Sequence, residues 1–250
     1  MRTGFELTPT GYRPSAAFTS GSGTVIGTID SMALPATDPS THECDTGVQT
    51  PALSRAALVW IDGLKSGKPL PIERRADLSS EDCGLDPSIV ATTVGSTINV
   101  YNDDAALHKF VFTGDPVAGS VVMPFFNSGQ VVASEKLTKR VGFVTVTCER
   151  HPWARATIAV FDEPYFAVTD EHGRFSMDSV PPGNYTLMVW RPDLEKPIAR
   201  RIQVSAQHTT SLSIGGPAQG QPPARRQTET AEIPKGTRRS TTIAAKSRAR

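Results

Sequence analysis

Cys148 and His151 stand three residues apart in Val146-Thr147-Cys148-Glu149-Arg150-His151-Pro152-Trp153, and a second imidazole, His108, closes the upstream run Asn102-Asp103-Asp104-Ala105-Ala106-Leu107-His108. Two imidazole nitrogens and one soft sulfur form a donor set that suits copper. The sulfur ligates well only as thiolate, and a metal that lowers its pKa lets it stay charged when buried. The same three residues also fit a bland arrangement, a buried free thiol beside two hydrogen-bonded histidines, because cysteine is among the residues most often buried.

Strands rather than helices must position these groups. Gly23–Ile29 places β-branched residues between glycines, Ala56–Ile61 is a short apolar run, and Ser96–Tyr101 alternates with period two. His108–Phe112, Gly142–Val146 and Ala156–Val160 continue the texture between Gly, Pro and Asp turns, the pattern of an all-β sandwich or barrel. Further on, Tyr165–Asp170, Gly173–Met177 and Tyr185–Trp190 read as short strands. Asp170-Glu171-His172-Gly173 and Pro182-Gly183 supply turns, and Ala199–Val204 and Thr209–Ile214 close a small β module. A helical piece is expected only around Ser128–Leu137, residues 1–21 read as a flexible leader, and Pro35–Asp45 reads as a loop.

The chain of 250 residues can hold one large β domain or two small ones. Its net charge is +1, but the stretch from Pro217 carries eight Lys/Arg against two Glu, so that stretch is +6 and the rest is near −5. A mildly acidic body does not offer the clustered basic surface that nucleic acid needs. The basic stretch is too poor in apolar residues to offset its ordering entropy and is expected to be a disordered tail, able to contact an anionic surface. No apolar run approaches the roughly 20 residues of a membrane helix.

Of the three cysteines, Cys44 and Cys83 flank strand-like sequence and could pair. Closing a loop of that size would stabilise by about 4 kcal/mol in the chain-entropy model and would place the protein outside the cytoplasm. Met1–Phe5 does not open a secretion signal, so that placement needs an earlier start or another export route. Two unpaired thiols in a reducing compartment are the alternative.

Asn102 six places before His108, with Cys148-x-x-His151-Pro152-Trp153, resembles the copper site of cupredoxins, amicyanin- and plastocyanin-like proteins above all. More narrowly, 22–214 looks like periplasmic cupredoxin-like proteins sometimes labelled methylamine-utilisation proteins, in which the Cys-x-x-His-Pro-Trp segment runs into a Tyr-Phe-Ala-Val-Thr-Asp strand. Thr169-Asp170-x-x-Gly173-x-Phe175 and Val180-Pro181-Pro182-Gly183-x-Tyr185 are similar to carboxypeptidase regulatory-like domains. The resemblance implies a Greek-key cupredoxin-like β-sandwich or barrel over 22–162, a regulatory-like β module over 163–214 and the basic tail over 215–250. It implies His108, Cys148 and His151 as ligands of one mononuclear copper and a periplasmic or extracellular location.

Two departures stand out. The family's axial Met, six residues after the Cys, is Ala154 here, which offers no donor and is expected to open a coordination position to water or a small anion. The residue after the upstream His, often Asn, is Lys109, expected to disfavour added positive charge. Met123 and Met177 are expected to fill cores, and His42, His172 and His208 to be solvated. Trp153 and Trp190 are expected to pack, although a Trp beside the metal loop could also be a docking surface. Asp103 and Asp104 are read as loop residues ahead of the ligand strand.

Electron transfer to a redox partner protein is the first functional expectation. Copper carriage or sensing through an open position is the second, and a metal-free module that binds cell-envelope material the third. No nucleophile elbow, phosphate loop or zinc-protease signature suggests an enzyme.

Overall fold

The computed structural model describes residues 5–15, 21–29 and 56–215. His42, Cys44, Pro35–Asp45 and all but the first residue of the expected tail lie outside the described residues. Among the described residues the chain forms β1 (Arg13–Pro14), β2 (Gly23–Ile29), β3 (Leu58–Asp62), β4 (Ser66–Gly67), β5 (Arg75–Ser80), β6 (Ile89–Thr93), β7 (Thr97–Asn102), β8 (His108–Gly114) and β9 (Gly119–Phe125). It continues with β10 (Gln130–Ser134), β11 (Gly142–Cys148), β12 (Arg155–Phe161), β13 (Phe166–Val168), β14 (Arg174–Val180), β15 (Gly183–Trp190), β16 (Ile198–Val204) and β17 (Thr209–Ile214). The fold is all-β, with a single 3-10 turn at Asp115–Val117 among the described residues and no closed barrel. None of the described helices is long and apolar enough to cross a membrane.

Two sandwiches share one wall. The sheet β10-β7-β5 faces the sheet β6-β12-β11-β8-β9, and Leu78, Ile98, Val100, Phe110, Phe112, Val146 and Ile158 fill the space between them. The sheet β13-β3-β15-β16 faces β14-β2-β17 around Val25, Val59, Ile61, Phe175, Leu187 and Val189. Each such side chain contributes about 1.5–3 kcal/mol when fully buried. Strand periodicity sends Ile158 and Val160 of β12 into the first core and Ala159 and Phe161 the other way, where Leu58, Trp60 and Trp190 meet them. Strands β3 and β12 are therefore covered on both faces.

This sharing corrects the serial division at 162/163. β2 and β3 lie upstream of the first sandwich but pair with β14, β17, β13 and β15 of the second, so the 75–161 sandwich is inserted into the other module. A β-branched run encodes a strand but not its partner, which is why order along the chain misplaced these two. The segment 5–15 is likewise not a free leader. Phe5 packs against Trp60, Phe143 and Trp190, and the Asp162 carboxylate accepts the backbone N–H groups of Thr10 and Gly11 at 2.9 and 2.8 Å. The expected helix at 128–137 is the strand β10, paired antiparallel with β7. Gly183 begins β15 rather than making a turn, whereas Gly173 (φ 74) does turn, with Asp170 Oδ1 accepting the N–H groups of His172 and Arg174.

Glu163, just beyond β12, is buried, and its carboxylate accepts the Tyr165 N–H. Burial, aided by nearby Asp162 and Asp62, outweighs the Tyr165 N–H and Lys68 and pushes its pKa from 4.5 up to about 8. Between those values the folded protein holds a proton that the unfolded chain releases, so stability falls as pH rises through this window. Glu163→Gln removes the dependence, and melting curves should show it stabilising the protein by about 2–4 kcal/mol more at pH 8 than at pH 4.5. Parallel pH profiles for the two proteins would contradict this.

Candidate metal centre

Antiparallel pairing of β8 with β11 brings the start of one and the end of the other to the same rim of the sheet, with Cys148 opposite Phe110. His108 is the first residue of β8 and Cys148 the last of β11. The 149–154 loop then turns tightly. Cys148 N–H donates to Ala154 O at 3.2 Å, Ala154 N–H to His151 O at 2.9 Å and Glu149 N–H to Lys109 O at 3.0 Å. These bonds fold His151 back over the rim.

All three predicted ligands converge. Cys148 Sγ lies 3.6 Å from His108 Nδ1 and 3.7 Å from His151 Nδ1, and the two nitrogens are 3.1 Å apart. The radius of the circle through the three atoms, the product of these sides divided by four times the triangle's area, is about 2.0 Å. Bonds from a divalent ion such as zinc are about 2.0–2.1 Å to nitrogen and about 2.3 Å to sulfur. One ion therefore fits between the donors with shifts of a few tenths of an ångström. Among the described residues these three make the cluster able to hold a metal ion, and each is at most 3% exposed.

The second nitrogen of His108 shows which lone pair is offered. Nε2 lies 2.9 Å from Asp104 Oδ2, and both groups are buried. Nε2–H donates to the carboxylate, which leaves Nδ1 as the lone-pair nitrogen facing the sulfur, the carboxylate–histidine arrangement common behind metal ligands. Burial pushes the Cys148 thiol up, and hydrogen bonds, those with the backbone of Lys109, His151 and Arg150 among them, bring its pKa below the ordinary range. With its proton on Nε2, His108 can accept the Cys148 proton but not donate to the sulfur, so a sulfur and two ring nitrogens converge on one dry point, where a shared proton or a bound cation satisfies them.

Asp104 was missed from sequence because a carboxylate in a loop is ordinarily solvated. Its spacing of four residues before His108 was the available signal. Lys109 also differs from expectation. Its Nζ is paired with Glu149 at 2.7 Å on the exposed side, and its carbonyl accepts the Glu149 N–H and so pins the Cys loop. Ala154 is fully buried and brings no donor atom to the cluster. Met123 aligns with Phe110, which in turn aligns with Cys148, so it lies two strand spacings, about 10 Å, from the cysteine. Met177 packs in the other sandwich, and His172 and His208 are exposed. Trp153 is half-buried, its ring 5.3 Å from that of His151, and Trp190 is buried between the sandwiches. The expected Cys44–Cys83 pairing falls partly outside the described residues.

A model of the carboxypeptidase regulatory-like domain matches residues 141–215, from β11 through β17. No curated protein sequence matches the chain. Among solved structures it is similar to a purple cupredoxin from Nitrosopumilus maritimus, at 20% identity over 34% of this chain and 98% of that one, with a TM-score of 0.29. It is also similar to an amicyanin mutant in the Cu(I) state, at 16% identity over 41% of this chain and 97% of that one, TM-score 0.30. A copper-containing nitrite reductase from Thermus scotoductus SA-01 shares 22% identity over 41% of this chain and 24% of that one, TM-score 0.31. These structural likenesses are slight and add no weight. The described residues thus form two β-sandwiches, one of them carrying two imidazoles and a thiol at its rim, and the stretch 141–215 is similar to the carboxypeptidase regulatory-like domain.

Burial and thiolate character make opposite demands on Cys148 chemistry. In the metal-free native protein a bulky disulfide reagent should leave Cys148 unmodified, since the residue is 3% exposed, and should react fully once denaturant is added. Rapid labelling of the native protein at pH 7 would show that the rim is open.

Proposed function

We propose that this protein binds one copper ion through His108, Cys148 and His151 and passes electrons to and from a redox partner protein. The observation that carries the reading is the buried triangle of two Nδ1 atoms and one Sγ around a common centre. Zinc asks for four tetrahedral ligands, whereas two His and one Cys in a trigonal set, with any axial donor weak and long, are the donors of electron-transfer copper. Copper would supply a one-electron couple. The chain supplies a stiff donor set, a thiolate held low by hydrogen bonds and the exclusion of water. No group among these residues is arranged to turn over a substrate, and we read the protein as an electron carrier rather than an enzyme.

Copper carriage or sensing is less well supported, because exchange needs an accessible position and Ala154, His108, Cys148 and His151 are all buried. A periplasmic or extracellular setting suits a copper protein of this kind. The basic stretch from Pro217 could bind an anionic surface there.

Loading the full chain with Cu(II) should give one equivalent of bound copper, an intense sulfur-to-copper absorption and a paramagnetic resonance spectrum of thiolate ligation. Cys148→Ala should abolish the band, and azide should not shift it. Absence of stoichiometric copper would leave the chain as a metal-free β-sandwich binding module, and an azide-shifted band would favour the carrier.

A further inference from the structure

The outer supports of the two histidines meet at one residue. Asp104, which holds His108, accepts the backbone N–H of Cys83 at 3.2 Å through Oδ1 and 3.3 Å through Oδ2. Trp153, whose ring lies against His151, donates its indole N–H to the carbonyl of the same Cys83 at 2.9 Å. A closed circuit therefore runs from His108 through Asp104, the Cys83 backbone and Trp153 to His151, and back through the 3.1 Å approach of the two imidazoles.

The backbone at Cys83 is unusual. Asp82 (φ 50) and Cys83 (φ 59) are consecutive left-handed residues in a turn closed by Gly84 N–H to Glu81 O at 2.9 Å. Residues with a side chain adopt this conformation at a cost, and it persists where surrounding contacts over-determine it. Here it aims the N–H at one side of the site and the carbonyl at the other. Asn102 steadies the loop that carries Asp104. It is fully buried, with its amide donating to Ala106 O at 3.2 Å and Asn127 O at 3.0 Å while its Oδ1 accepts from Ser80 at 2.8 Å.

We propose that Asp104 and Trp153 are positioning residues of the metal centre that act through the Cys83 peptide, so that the 81–84 turn is a single buttress for both histidine ligands. This rests on the copper reading above. Asp104 sets the His108 tautomer and adds a negative charge behind the ligand. Trp153 limits the swing of His151. A displacement of the turn would loosen both ligands together.

The test is copper competition against a chelator, with spectra and reduction potentials, on the wild-type chain, Asp104→Asn, Trp153→Phe and the double variant, with melting temperatures to show that each is folded. Asp104→Asn is expected to weaken copper retention on the order of 10–100-fold and to raise the potential, since a negative charge near the ion is lost. Trp153→Phe keeps a ring against His151 but removes the indole N–H together with the pyrrole part of the ring, and should weaken retention in the same direction. The double variant should lose less than the product of the two, as expected of groups sharing one support. In the metal-free proteins, hydrogen exchange of the Cys83 amide should be faster in both single variants.

Wild-type retention in Trp153→Phe, or losses that multiply, overturns the shared buttress. A wild-type chain that takes up no copper overturns the functional reading instead. The Cys83 exchange rates then decide on their own whether the two sides are joined.

Discussion

A thiolate and two imidazole lone pairs held together away from water are the constraint on which the rest of the structure depends. Separately, each would keep a hydrogen-bond donor or solvent. Together they are stable only if a cation sits among them or if protons are shared across distances of 3.1–3.7 Å. Asp104 takes the proton-bearing nitrogen of His108, backbone groups hold the sulfur below its ordinary pKa, and Ala154 and Phe110 keep the rim dry. Phe110 lies almost parallel to the His108 ring, at 5.1 Å and 14°, so that ring has little room to turn.

Rigidity of this kind has to be borne by something larger than a loop. The rim belongs to a five-stranded sheet whose far face is buried against the second module, with Ala159 and Phe161 of β12 meeting Leu58 and Trp60 of β3. Phe5 closes the same interface, and Asp162 anchors the segment that follows it. The second sandwich thus forms a wall behind the one that carries the donor cluster. Such packing limits movement of the strands that carry the donors.

How much of this could be read beforehand depended on range. His108, Cys148 and His151 were legible because two of them lie three residues apart and all three are chemically distinctive. Most strands were legible because period-two alternation is local. Strand β10 was not, since its partly exposed pattern leaves period and length ambiguous. Asp104 was not, because its role depends on which way an imidazole four residues later is turned. Nor did anything local mark the Cys83 turn, whose two hydrogen bonds join residues distant in the chain.

Sequence alone determined the all-β class, the donor atoms and the lack of a donor at Ala154, because these follow from residue chemistry and short-range pattern. Tertiary structure decided which sandwich owns β2 and β3, that Ala154 is buried, and that Lys109 is paired with Glu149. Those outcomes are set by strand partners and burial, which are properties of the assembled sheets and are written in no single stretch of chain.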